Sequence, residues 1–121
     1  MKDCLFCKIL NGDIPSKKVY EDNIVSVIMD VNPNSNGHML IIPKKHFTDF
    51  TEIDNETLVH INDVSKKMKD LIYTRLNANG IKIVVNYGIC QEIKHYHMHL
   101  IPVYDKKQNI IDIEETYKKL I

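Results

Sequence analysis

Three of the chain's six histidines fall within the five residues His95-Tyr96-His97-Met98-His99, and two of its three cysteines form Cys4-Leu5-Phe6-Cys7. Imidazole titrates near neutrality, so at pH 7 it can act as nucleophile, general base, hydrogen-bond donor to an anion, or metal ligand. Thiolates are soft metal ligands and redox nucleophiles. The spacing of each set narrows these choices. On an extended strand alternate residues share a face, so His95, His97 and His99 are expected on one side, with Tyr96, Met98 and Leu100 on the core side. Residues four apart on a strand are separated by about 13 Å, too far for three imidazoles to meet one zinc ion at about 2 Å without a bend. A division of labour fits better. The middle imidazole can attack phosphorus and form a covalent phospho-histidine, while a neighbour donates hydrogen bonds to the anion. The plain alternative is a solvent-facing histidine strand with no chemistry.

For Cys4 and Cys7 three readings stand: a metal site, a redox pair, or two buried thiols. A redox Cys-x-x-Cys normally opens a helix after a strand in a thioredoxin-like pattern, and no such strand precedes Cys4. Cys90 reads as a lone thiol, at least half-buried.

The elements that must position these residues belong to one domain, residues 1–121. Cations and anions are equal in number, sixteen each, so the formal charge is zero. That argues against nucleic acid or an anionic membrane as the partner. Arg75 is the only arginine, so a phosphate site here must use histidines and backbone N–H groups rather than guanidinium forks. The N-terminus has no apolar leader-like run, and the expectation is a soluble, cytoplasmic protein.

"CLFCKILNG" predicts a short helix stopped at Asn11-Gly12. "SKKVYED" and "NIVSVIMDV" predict a hairpin turning at Glu21-Asp22-Asn23, and "HMLIIP" a buried strand after the polar turn "NPNSNG". Asp54 can cap a helix carrying Leu58, Ile61, Val64, Met68, Leu71 and Ile72 at helical spacing, with Asn79-Gly80 as its end. "IKIVVN" predicts a strand, and "HYHMHLIPVY" the last one. The tail "NIIDIEETYKKLI" is ambiguous. Strands, one long helix, then more strands indicate an α+β domain with an antiparallel sheet.

"HYHMHLI" fits the pattern His, apolar, His, apolar, His, apolar, apolar, and resembles the signature of the histidine-triad (HIT) superfamily. "CLFCKILNGDIPSKKVYED", "MDVNPNSNGHMLIIPKKH" and "VVN" are similar to its other segments, in the same order. The resemblance implies a HIT-like α+β fold: an antiparallel sheet of about five strands per subunit, one long helix and a short N-terminal helix. It also implies a homodimer joined through the long helix and residues 81–86. It further implies hydrolysis at the α-phosphate of purine nucleoside 5′-phosphoramidates or related nucleotide conjugates, through a nucleotidyl-histidine that releases the nucleoside monophosphate. His97 then matches the nucleophile, His99 a phosphate contact, and His38 a supporting histidine. Asp30 matches the carboxylate that takes the ribose hydroxyls, although an aspartate before a Pro/Asn turn is also a plain turn former. Asn86 and Gln91 match polar residues around ribose and phosphate, and the backbone N–H groups of residues 91–93 would steady the phosphate charge. Phe6, Ile9, Ile14, Ile28, Met29, Val31 and Leu40 match positions at or near the base pocket. Cys4, Cys7, His46 and His95 match the ligands of a structural Zn2+ found in bacterial members. Hydrolysis of dinucleoside polyphosphates, nucleotidyl transfer, and a non-catalytic nucleotide sensor are the other activities consistent with the resemblance. Glu92 departs from it, standing where several relatives carry serine or threonine, and a carboxylate there repels phosphate unless it turns away.

Overall fold

A computed structural model describes residues 3–121. Five strands form one antiparallel sheet: β1 (Lys18–Glu21), β2 (Val25–Met29), β3 (Met39–Pro43), β4 (Gly80–Val84) and β5 (Met98–Val103), in the order β1-β2-β3-β5-β4. Three helices accompany it: α1 (Leu5–Leu10), α2 (Asn55–Leu76) and α3 (Ile113–Leu120). This is the α+β arrangement that the residue pattern predicts.

Strand alternation sorts the side chains into two layers. Val25, Val27, Met29, Met39, Ile41, Met98 and Leu100 project to one face, where Ile61, Val64, Met68 and Ile72 of α2 cover them. Ile28, Leu40 and Ile42 project to the other face and meet Phe6 of α1. The larger layer is the core of the domain. The smaller one leaves room beside α1 for polar side chains.

The hairpin between β1 and β2 turns on Asp22. Its carboxylate accepts the backbone N–H groups of Ile24 and Val25 at 2.8 and 2.9 Å, the Tyr20 hydroxyl at 2.8 Å and the His60 Nε2 of α2 at 2.7 Å. Partial burial works against its charge, but these donors hold the carboxyl far below the ordinary carboxylate range. The hairpin is thereby keyed onto α2.

Three expectations about the elements change. The long helix ends at Asn77, not at Asn79-Gly80: Asn77 takes the left-handed conformation (φ 58°) that asparagine tolerates at a helix end, and Gly80 already pairs with Val103 in the sheet. The last strand begins at Met98, so His95 and His97 lie in extended and bent chain ahead of it. The ambiguous tail ends in α3, capped by Asp112. It is fastened to β1 by the Lys17–Glu114 ion pair and the Tyr117 hydroxyl, 2.8 Å from the Lys18 carbonyl. Its register comes from buried Thr116 and Leu120, a signal too short to read from periodicity.

Gly37 sets the approach of the chain to β3. It is buried with φ +94°, and a Cβ there would meet Leu76 Cδ1 at 2.4 Å and Pro102 Cγ at 3.2 Å. Gly12 also has positive φ (+84°), but a Cβ on it would meet nothing within 4 Å. Gly37→Ala is expected to destabilise by about 2–4 kcal/mol, backbone strain and overpacking together, and Gly12→Ala by only about 1 kcal/mol. Urea-unfolding midpoints of the two variants test this; equal losses would mean that the Leu76–Pro102 contact is soft.

Candidate active site and metal cluster

The sheet order brings three separate segments to one place. Met39 pairs with Met29 on one side and Leu100 on the other, so the chain just after β2 (Asp30), just before β3 (His38) and at the start of β5 (His99) are neighbours. The Asp30 N–H donates to the His38 carbonyl at 3.0 Å, which locks this junction. On the face shared with α1, the His97 and His99 rings have centroids 4.9 Å apart, and Phe6 meets His97 edge-on at 4.8 Å. His95 is fully buried and His97 nearly so, which removes the solvent-facing histidine strand as an explanation.

Hydrogen bonds fix where each imidazole carries its proton. His97 Nδ1 lies 2.8 Å from the His95 carbonyl oxygen, which can only accept, so Nδ1 bears the hydrogen and Nε2 the lone pair. His38 Nδ1 lies 3.0 Å from the Asn34 backbone nitrogen, an obligate donor, so the His38 proton sits on Nε2. That Nε2 stands 2.9 Å from His99 Nδ1 and 3.4 Å from Asp30 Oδ2. His99 Nδ1 therefore accepts, and His99 carries its own hydrogen on Nε2. Burial lowers the pKa of His97, of His99 and of His38, so each is neutral at pH 7. The pair then offers a bare nitrogen at His97 beside an N–H at His99: a nucleophile and an anion donor.

His95 is oriented the other way. Its Nε2 donates to the Pro43 carbonyl at 2.8 Å, leaving the Nδ1 lone pair aimed at Cys4 Sγ (3.3 Å), Cys7 Sγ (3.5 Å) and His46 Nδ1 (3.1 Å); Cys7 Sγ is also 3.4 Å from His46 Nδ1. The four ligand atoms lie within 4.8 Å of one another. A tetrahedral ion bound by sulfur at about 2.3 Å and nitrogen at about 2.0–2.1 Å has sulfur–nitrogen edges of about 3.6 Å and nitrogen–nitrogen edges of about 3.3 Å, so the cluster matches that shape. The second shell is built as well: the Pro43 carbonyl orients His95, and the Cys7 N–H points at Cys4 Sγ at 3.4 Å. Burial, and then Cys4 itself, raise the pKa of the Cys7 thiol. Asp30, His38 and His99 form a comparably tight group. There the proton on His38 Nε2 occupies the space between the rings, so this second group is a hydrogen-bond relay and not a metal site.

Residues 11–106 match the HIT domain model. The chain belongs to the HIT family. An uncharacterized HIT-like protein of Methanocaldococcus jannaschii is 37% identical over 97% of this chain and 98% of its own length. The adenosine 5′-monophosphoramidase of Saccharomyces cerevisiae is 38% identical over 89% of this chain and 67% of its own. A crystal structure of a Zn-bound histidine triad family protein from Mycobacterium smegmatis superposes with a TM-score of 0.90 at 32% identity, covering 98% of this chain and 91% of that one.

Not every residue singled out from the HIT resemblance stands where that resemblance would put it. Phe6, Ile28 and Leu40 are together beside His97, with Ile9 packed against them, while Ile14 is half-buried in the turn after α1 and Val31 is 78% exposed. Met29 is a correction: alternation along β2 sends it to the α2 face, the opposite side of the sheet from Ile28. The Gln91 side-chain NH2 donates to the Thr48 and Ile93 carbonyls at 2.7 and 3.0 Å, and its backbone N–H to the Gly88 carbonyl, so it braces the loop ahead of the triad. Cys90 is exposed on the 3₁₀ turn Gly88–Cys90, not half-buried. Asp30 forms the turn: Oδ1 accepts the Asn32 N–H at 2.8 Å, and Oδ2 lies 3.4 Å from His38 Nε2. Asn86 lies two residues past β4, and the β4–β5 register continued would bring it opposite His97. The groups that sequence reading missed are mainly backbone: the Asn34 N–H and the His95 and Pro43 carbonyls. Lys94, whose ammonium joins the Gly88 and Gln91 carbonyls at 2.9 and 2.8 Å, was missed too; only its place beside the triad marks it.

The two clusters make separable predictions. Purified protein is expected to hold one metal ion per chain by mass-spectrometric metal analysis. Cys7→Ser should lose it and melt at least about 5 °C earlier, while Asp30→Asn keeps it. Two ions per chain, or loss of metal in Asp30→Asn, would contradict the proton placement on His38.

Proposed function

We propose that this HIT protein is a nucleotide hydrolase of the phosphoramidase type, acting at the α-phosphorus of purine nucleoside 5′-phosphoramidates or related conjugates. The observation that carries the proposal is the opposed proton placement on adjacent rings, with the bare Nε2 of neutral His97 beside the Nε2–H of His99. His97 forms an N–P bond as the bond from phosphorus to the leaving group breaks; the leaving group keeps the electron pair and takes a proton from solvent, so that an amine departs neutral. Water then adds to phosphorus as the N–P bond breaks and its electron pair returns to His97 Nε2, and the proton lost by that water replaces the one the leaving group took, releasing the nucleoside monophosphate. The His95 carbonyl accepts the Nδ1–H throughout and steadies the positive ring that forms during attack. The His99 N–H and the backbone N–H groups of Glu92 and Ile93 would meet the charge on the phosphate oxygens. Asp30 would accept the ribose hydroxyls, and Phe6, Ile9, Ile28 and Leu40 would border the base. The yeast relative's description as an adenosine 5′-monophosphoramidase supports the substrate class.

The cluster of Cys4, Cys7, His46 and His95 would hold Zn2+ in a structural role. A bound zinc ion would supply a cross-link between α1 and the chain that enters β5, and so fix the wall that Phe6 sets against His97. A homodimer through the free edge of β4 and the neighbouring α2 is supported by the exposed side chains of Ile83, Val85 and Tyr73 on that side. Free cysteines suit a cytoplasmic setting.

Steady-state turnover of adenosine 5′-phosphoramidate tests the nucleophile. His97→Ala is expected to lose at least about 10³-fold in kcat, and His99→Ala about 10²-fold, with metal content and oligomeric state unchanged. A wild-type protein that binds AMP tightly yet turns nothing over would favour the sensor activity instead.

A further inference from the structure

Beyond His99 the same face of β5 continues to Ile101, and Lys82 of β4 stands opposite Ile101 just as Val84 stands opposite His99. These residues floor a pocket of about 280 Å³. One wall is the turn at residues 34–36, whose Asn34 N–H fixes His38. The other is the tail after β5, which contributes Lys106, Lys107 and Gln108. Asn36 holds that tail in place. Its Nδ2 donates to the Asn109 carbonyl at 2.9 Å and to Gln108 Oε1 at 3.3 Å, and its Oδ1 accepts the Ile111 N–H at 2.9 Å. The Tyr104 hydroxyl closes on the Asn36 carbonyl at 2.7 Å. Two residues along a strand span about 6–7 Å, so the pocket begins one side chain away from the phosphate donor His99.

Its charge sets it apart. Lys82, Lys106 and Lys107 line it and no carboxylate does. Two other cavities mix signs: Lys44 and Lys45 with Asp54 and Glu56 in one, Lys94 with Asp3 and Glu92 in the second. In a chain of zero net charge this is a local segregation of cations next to the catalytic rings. Glu92 lines a cavity with Cys4 and His46, and its charge also reaches His97 and His99. A group bound across the triad thus meets one carboxylate, Glu92, near the rings and three lysines past Ile101.

We propose that this lysine pocket receives a phosphoryl group beyond the α-phosphate, carried by the part of the substrate that leaves, and that Lys82, Lys106 and Lys107 set the preference for such leaving groups. Lysines bind phosphate as point charges and need no fork geometry, and the asparagine and glutamine amides nearby can supply directed hydrogen bonds. The inference rests on the nucleotide-hydrolase proposal and names its leaving-group class.

Titration calorimetry of the full-length protein with AMP and with ADP, without added magnesium, tests it. Wild type is expected to bind ADP at least tenfold more tightly than AMP. The variant Lys82→Gln/Lys106→Gln/Lys107→Gln should remove that difference while AMP affinity changes less than twofold. Lys66→Gln/Lys69→Gln/Lys118→Gln makes the same charge change elsewhere on the surface and should preserve it. ADP binding no tighter than AMP in wild type, or equal losses in both triple variants, overturns the lysine pocket and leaves the hydrolase proposal standing. Binding of neither nucleotide would defeat the nucleotide reading itself.

Discussion

Each imidazole of the triad region has a single proton to place, and hydrogen-bonding partners that cannot themselves change roles decide where it goes. A carbonyl accepts and a backbone N–H donates, so the His95 and Pro43 carbonyls and the Asn34 N–H dictate the tautomers of His97, His95 and His38, and His38 in turn dictates that of His99. Everything chemical about the molecule depends on these four choices. A reversed His97 would turn its N–H outward and its lone pair toward a carbonyl, and the bare nitrogen proposed as the nucleophile would be gone. A reversed His95 would turn its N–H toward Cys4, Cys7 and His46 and withdraw one of the two nitrogen lone pairs from that cluster.

This explains why residues of one type, at one spacing, diverge in role. Burial is common to all of them and pushes every pKa the same way. It keeps the rings neutral but cannot distinguish them. The distinction comes from the chain that each ring meets: the end of β3 for His95, the preceding backbone for His97, the turn before β3 for His99 by way of His38. The sheet order, which sets β3 between β2 and β5, is what delivers those partners.

Much of the site was legible in the residues. Alternation on the last strand put Met98 and Leu100 in the core, and the Cys-x-x-Cys pair with distant histidines marked four side chains that do converge. The illegible parts share a cause. Gln91 was legible as a polar residue beside the triad, but its amide is consumed by two carbonyls whose positions only the folded loop reveals. Met29 differs from Ile28 by one step along β2, and pattern alone says which faces alternate without saying which face carries the chemistry. Helix α3 could not be read because two buried residues on eight are no periodicity.

The two-layer division of the sheet has a consequence for how the gene can vary. Alternation makes the register of β5 a single decision that serves folding and chemistry at once. Slip the strand by one position and His97 and His99 would enter the apolar layer under α2, while Met98 and Leu100 would be turned out beside Phe6. The protein could not lose its triad face and keep its core. A one-residue insertion or deletion near the triad is therefore filtered at the level of foldability, before any selection on activity, and tolerated length changes should collect in exposed turns outside the sheet register, such as residues 11–13.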